Sequence, residues 1–179
     1  TYLFMSDNIG YELVRVSGGG EMPLGYRISA VWAGREGPLL LWAALLAICG
    51  ALFQIRGRGE TAILFRRLSH GAVLAILGIT FVMNPFRLST VGWRSELNPL
   101  LQTDLMVIHQ PLLFLFYSLC IMVTLHALAA MLSPEEDAVK LLRERATPVA
   151  RVAFAIGTLG IGLGGLWAYT VLDWGGYWA

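Results

Sequence analysis

The chain has 179 residues, of which 56% are hydrophobic and 14% charged, and its formal net charge is +1. A soluble domain carries roughly 25% charged residues. This composition excludes a disordered chain and an ordinary soluble globule, and the small net charge gives no reason to expect nucleic acid as a partner. The sequence therefore indicates an integral membrane protein, whose first partner is the lipid bilayer.

Four stretches of the chain contain no Asp, Glu, Lys or Arg and are long enough to cross a bilayer, which takes roughly 20 helical residues. None alternates in the manner of a barrel strand, and helices satisfy every backbone group in lipid. We predict an all-α membrane protein with a single membrane domain over residues 1–179. Its four transmembrane helices are expected at about residues 38–55, 69–86, 111–132 and 152–172.

Two signals set the bounds around the third helix. Proline suits the first turn of a helix because it lacks an N–H group, so we expect this helix to begin at Pro111. The sequence Ser133-Pro134-Glu135-Glu136 then reads as the start of a separate, short polar helix that reaches Arg145.

The orientation follows from the distribution of Lys and Arg. The loops between the first and second helices and between the third and fourth helices hold eight of these residues, and the opposite side holds five. The positive-inside rule makes the eight-charge side cytoplasmic. The N-terminal stretch, the middle loop 87–110 and the C-terminal residues 173–179 are then all expected on the outer face.

Aromatic residues are concentrated at the C-terminal end, where Trp167, Tyr169, Trp174, Tyr177 and Trp178 fall within residues 167–178. An aromatic belt that anchors a helix end at the level of the lipid headgroups is one interpretation. The other is a platform for a flat ligand, because the paired glycines at positions 175 and 176 let the backbone approach it closely.

His109 is the second candidate feature. It stands just ahead of the expected helix start at Pro111, where the positive end of the helix dipole disfavours imidazolium and favours a neutral ring able to bind a metal. A structural, hydrogen-bonded histidine is the alternative. His70 and His126 lie near the cytoplasmic ends of helices, and we interpret both as structural.

Three stretches together resemble the CcmF-type cytochrome c haem lyases, a cytochrome c assembly family with a tryptophan-rich haem motif. Residues 6–7 with 25–42 resemble the outer loop and helix start of the family. Residues 98–113, which read Asn-Pro-Leu-Leu-Gln and then Ile-His-Gln-Pro-Leu-Leu, resemble the segment that bears an external haem-ligand histidine. Residues 164–178 resemble the helix end that opens the tryptophan-rich motif.

This resemblance implies haem handling and covalent attachment of haem to apocytochrome c, with b-type haem as the ligand and substrate. It makes His109 an axial ligand of the haem iron. It assigns the porphyrin platform to Trp174, Gly175, Gly176, Tyr177 and Trp178. It implies a supporting role in the outer loop for Tyr26, Trp32, Glu36 and Gly37, and it assigns no catalytic residue.

The resemblance also implies partners and a location. The expected partners are a haem chaperone, an apocytochrome c with a CxxCH segment and other membrane proteins of cytochrome c maturation, with no nucleic acid. The expected location is a bacterial inner membrane with the haem motif facing the periplasm, or the mitochondrial equivalent.

The chain departs from the family pattern in ways that matter. Gln110 separates His109 from Pro111, and Arg35 stands where the family has histidine before Glu36. The family continues with Trp-Asp-Pro directly after the point where this sequence stops, and further ligand histidines lie beyond. We therefore expect an internal or N-terminal-half piece of a longer protein that is inactive alone.

Other functions stay open. A haem-delivery protein of the same superfamily and the paralogue that serves a nitrite reductase are the nearest alternatives. A transporter fragment is the alternative from a different class, and it predicts ionisable residues inside the spans. Within residues 37–55, 68–86 and 152–172 the sequence offers only His70. A purely structural subunit leaves the aromatic run unexplained.

Overall fold

The computed structural model describes residues 1–18, 22–55, 57–95 and 97–174. These residues form seven α-helices and one 3-10 helix, and within the described ranges the only β feature is an isolated bridge between Tyr11 and Leu88. The elements are α1 Tyr2–Met5, α2 Glu12–Ser17, α3 Leu24–Ala33, α4 Gly37–Leu52, α5 Glu60–Met83, the 3-10 helix Pro99–Leu101, α6 Asp104–Leu132 and α7 Ala138–Thr170. The all-helical prediction is confirmed.

Three helices, α5, α6 and α7, are long and apolar enough to cross a membrane, with 24, 29 and 33 residues. The first predicted span, residues 38–55, corresponds to α4, which has 16 residues. It reaches the length of a span only together with α3, and the two helices are bent by 94° relative to one another. The protein is therefore an integral membrane protein by helix length and composition, with three spans, or four if the bent pair counts as one.

The predicted start of the third membrane helix at Pro111 is wrong, because α6 already begins at Asp104. Thr103 caps this earlier start, with its side-chain oxygen accepting a hydrogen bond from the Met106 amide at 3.3 Å. Pro111 lies inside the helix. It removes one amide donor, which a membrane helix tolerates where neighbouring elements pack against it.

The predicted separate polar helix is also wrong. Residues 138–145 are helical, but they belong to one uninterrupted helix, α7, which begins after Asp137 and continues through Pro148 to Thr170. Glu135, which the sequence suggested as part of the start of this helix, instead caps the start of α5. Glu135 accepts hydrogen bonds from the Glu60 amide at 2.8 Å, from the Thr61 amide at 3.1 Å and from the Thr61 hydroxyl.

This carboxylate cap sets the start of α5 nine residues before the predicted boundary at residue 69. The hydrogen bonds from the Thr61 hydroxyl and from the first two amides of α5 hold the pKa of Glu135 below its ordinary value. Gly59 leaves room for the carboxylate, since a Cβ at that position would lie 2.4 Å from Glu135 Oε1. The other end of α5 is set by Asn84 in a left-handed conformation, followed by Pro85.

The core lies where α4, α5, α6 and α7 meet. Its fully or almost fully buried members include Leu46, Phe65, Leu119, Met122 and Val149. His126 is 1% exposed within it, with Nε2 at 3.1 Å from the Phe53 carbonyl and the ring 4.2 Å from that of Phe65. His126 thus ties α6 to the end of α4, and its structural interpretation is confirmed.

The segments that the sequence places on one face lie at one end of the bundle. Arg94 forms an ion pair with Asp7, and the Ser95 amide donates to the Arg15 carbonyl at 3.1 Å, which joins the N-terminal helices to the middle loop. The Trp167 indole N–H donates to the Leu100 carbonyl at 3.3 Å, which joins α7 to the same loop. We call this end of the bundle the His109 end, and the opposite end the Arg66 end.

The orientation of these two ends is a prediction that labelling can check. In a chain with Cys49 and Cys120 replaced by alanine, we expect a cysteine at the exposed position 90 to react with an impermeant thiol reagent on intact cells. A cysteine at the exposed position 58 should react only after the cells are opened, because the positive-inside rule places it in the cytoplasm. The reverse pattern would contradict the proposed orientation.

Candidate functional site

The candidate site rests on the close packing of α6 against α7. Three glycines of α7 lie where a side chain would collide with α6: a Cβ at Gly157 would lie 2.7 Å from the Phe116 ring, and one at Gly160 would lie 3.2 Å from Leu113. At Gly164 the distance to His109 Cε1 would be 2.4 Å. Small residues at this spacing let membrane helices approach closely.

The imidazole of His109 lies against this glycine face. The residue is 9% exposed, and its Nδ1 is 2.9 Å from the Gly160 carbonyl oxygen. A carbonyl oxygen only accepts hydrogen bonds, so in this bond Nδ1 carries the proton and donates it. Nε2 then keeps its lone pair. This is how a protein usually fixes the tautomer and orientation of a histidine that binds a metal.

The sequence located His109, but its argument from the helix dipole is wrong. That argument places the ring at a helix start, whereas α6 begins at Asp104 and His109 lies more than one turn inside it. Helix-end effects fall off within the first turn. The contact that the structure shows instead is the hydrogen bond between Nδ1 and the Gly160 carbonyl.

Trp167 belongs to the site, although the sequence analysis did not include it among the site residues. Its ring centroid is 6.1 Å from that of His109, and its indole N–H is held by the Leu100 carbonyl. Helical spacing could have predicted this contact, because a residue three positions after Gly164 lies on the same face of α7.

Only part of the predicted aromatic platform can be placed. Trp174 follows the end of α7, with 56% of its surface exposed, and its amide donates to the Ala168 carbonyl at 3.3 Å. It therefore lies at the His109 end of the helix pair. Gly175, Gly176, Tyr177 and Trp178 lie outside the described residues.

Two of the predicted outer-loop residues have clear structural contacts. The Tyr26 hydroxyl donates to Asp104 Oδ1 at 3.1 Å, which ties α3 to the first residue of α6 and raises the pKa of the tyrosine. Gly37 lies at the bend between α3 and α4. A Cβ there would lie 1.6 Å from the Val31 carbonyl oxygen, so the bend has no space for a side chain.

Trp32 and Glu36 are placed near the site's end of the bundle but not at His109. The Trp32 indole N–H is buried without a hydrogen-bond partner among the described residues. Glu36 lines a cavity of about 570 Å³ together with Arg35, Arg87 and Leu101. Within the described ranges, no hydrogen bond or ring contact joins Trp32, Glu36 or Gly37 to His109.

No group of three or more His, Cys, Asp or Glu side chains among the described residues could hold a metal ion.

The comparison with known families decides the identity. A sequence profile described as cytochrome C assembly protein matches residues 32–179, which include α4 to α7 and His109. The chain belongs to the cytochrome c assembly protein family. The curated relatives show that this member is of the CcmF type.

Three relatives illustrate the match. The cytochrome c-type biogenesis protein ccl1 of Rhodobacter capsulatus is 33% identical over 99% of this chain and 28% of its own length. CcmF of Escherichia coli K12 is 35% identical over 88% of the chain and 25% of its own. A probable cytochrome c-type biogenesis protein of the same strain, NrfE, is 36% identical over 85% and 28%.

The cytochrome c assembly chain thus spans about a quarter of the length of the relatives that it matches. No solved structure matches it.

The contact between His109 and Gly164 gives a stability test. The change Gly164→Ala places a methyl group against the imidazole, and overpacking of this kind costs roughly 1–3 kcal/mol. Gly162→Ala is the matched control, because a Cβ at Gly162 meets nothing within 4 Å. We expect the thermal unfolding midpoint in detergent to fall for Gly164→Ala only. Equal midpoints for the two variants would show that the helices are not this close.

Proposed function

We propose that this chain holds haem at the His109 end of the bundle and takes part in its covalent attachment to apocytochrome c. The membership in a cytochrome c assembly family supports a role in c-type cytochrome maturation. The observation that carries the finer proposal is the hydrogen bond of His109 Nδ1 to the Gly160 carbonyl, which leaves Nε2 for the iron.

The environment of His109 supports this role in two further ways. The ring is held from two sides, by the backbone of α7 at Gly164 and by the indole of Trp167, so its orientation is fixed before haem arrives. Pre-oriented ligands bind more tightly because less rotational freedom is lost on binding. The exposed Trp174, which follows α7, is available to stack on the porphyrin with the residues after it.

The chemistry proposed for the whole protein is the addition of a cysteine thiol across each haem vinyl group. The sulfur bonds to one vinyl carbon and the thiol hydrogen goes to the other, so that no atom leaves and no oxidant is consumed. The protein's contribution is to hold the haem edge near the CxxCH segment. Positioning of this kind turns a slow bimolecular reaction into an effectively intramolecular one.

The partners in this proposal are those that the family implies. A haem chaperone delivers the haem, an apocytochrome c receives it, and other membrane proteins of cytochrome c maturation assemble with the chain. The His109 end faces the periplasm of a bacterial inner membrane in this arrangement. The eight Lys and Arg residues of the stretches 56–67 and 140–151 support that orientation.

The test is His109→Ala in the protein expressed from its own gene together with a c-type cytochrome. We expect the visible spectrum of the purified protein to show a loss of bound haem. Removing a residue that only hydrogen-bonds to a metal-bound histidine lowers metal affinity roughly 10–100-fold, and removing the ligand itself should lower haem affinity by more. Covalent haem on the cytochrome should fall to background. His70→Ala is the matched control, since His70 is exposed at the Arg66 end.

Two outcomes would separate the parts of the proposal. Full haem occupancy in His109→Ala, with full cytochrome maturation, would contradict the assignment of His109 as ligand. Loss of haem from the protein with undiminished covalent haem on the cytochrome would contradict the attachment role and favour haem handling of another kind.

A further inference from the structure

The groove between α4 and α5 at the Arg66 end has features that the proposed haem role does not use. It encloses about 340 Å³, and its deeper part is lined by small or apolar residues, namely Ala47, Gly50, Ala51 and Val73. The two helices approach closely at its floor, where a Cβ on Gly50 would lie 2.5 Å from Ser69 Oγ. Because these side chains are small, the groove between the two membrane helices is not filled by the protein itself.

The mouth of this groove is polar and basic. Gln54, Arg66 and His70 line it, and none of its described lining residues is acidic. Ala47 and Gln54 are seven positions apart on α4 and the loop after it, and Arg66 and Val73 are seven positions apart on α5. At a rise of 1.5 Å per residue, the groove thus extends about 10 Å from its charged mouth into the apolar part of the bundle.

Arg66 is positioned but not neutralised. Its Nη1 donates to the carbonyls of Ile55 at 3.3 Å and Gly57 at 3.1 Å, which fixes the guanidinium at the end of the loop. The ion pairs among the described residues join Arg15 and Arg87 to Glu12, and Arg94 to Asp7, all at the His109 end. Arg66 therefore keeps its positive charge and further N–H donors for an anion.

We propose that this groove binds an anionic phospholipid, with the phosphate at Arg66 and one acyl chain along Ala47 and Val73. The combination decides the class of ligand. A soluble anion would use the basic mouth but not the apolar groove, and a zwitterionic lipid would fill the groove without matching the uncompensated charge. Basic pockets between membrane helices on the cytoplasmic side typically bind acidic headgroups.

The experiment is native mass spectrometry of the purified protein with added phosphatidylglycerol, with phosphatidylcholine of the same chains as comparison and glycerol 3-phosphate as a headgroup without chains. We expect phosphatidylglycerol to bind most tightly. Arg66→Gln should weaken its binding about tenfold, the scale of one lost charged hydrogen bond. Ala47→Leu should weaken it comparably by filling the groove.

The controls make the outcome decisive. Arg143→Gln removes an exposed arginine near the start of α7, at the same end of the bundle, and should leave binding unchanged. Ala47→Leu alters an exposed position of α4, so it tests the proposal even if Arg66→Gln does not fold. Equal binding of the two lipids, undiminished binding in Ala47→Leu, or competition by glycerol 3-phosphate at equal concentration would each overturn the proposal.

Discussion

The close contact of α6 with α7 is the constraint on which the rest of the structure depends. Glycines at positions 157, 160 and 164 bring the two backbones together, and the same contact fixes His109. Because glycine has no Cβ atom, nothing holds the two backbones apart at these positions. The close approach brings the Gly160 carbonyl within hydrogen-bonding distance of the imidazole. One arrangement therefore supplies both the close approach of the two membrane helices and the hydrogen-bond partner that orients the imidazole.

The two ends of the bundle differ in how their charges are compensated. At the His109 end, acidic partners hold arginines that tie the N-terminal helices to the middle loop. At the Arg66 end, the carboxylate of Glu135 caps a helix and leaves Arg66 without an acidic partner among the described residues.

The sequence predicted those features that depend on composition and local spacing. Long apolar runs predicted membrane helices, and the position of His109 just ahead of Pro111 marked it as a candidate. The start of α5 was wrong because a distant residue decides it, since Glu135 caps this helix across 74 positions of sequence. The start of α6 was wrong because the local cap at Thr103 was overlooked in favour of Pro111. The bond to Gly160 is likewise a tertiary contact between residues 51 positions apart, which no local pattern contains.

The most direct test of the central claim is chemical rescue of His109→Gly, because it examines the hydrogen bond as well as the metal ligand. In the purified protein expressed from its own gene, added imidazole should restore haem binding, since it can ligate the iron and donate its N–H to the Gly160 carbonyl. The analogue 1-methylimidazole ligates equally but has no N–H group, so we predict rescue about fivefold weaker, the scale of one neutral hydrogen bond. Equal rescue by both compounds, or no rescue of a folded variant by imidazole, would contradict the account.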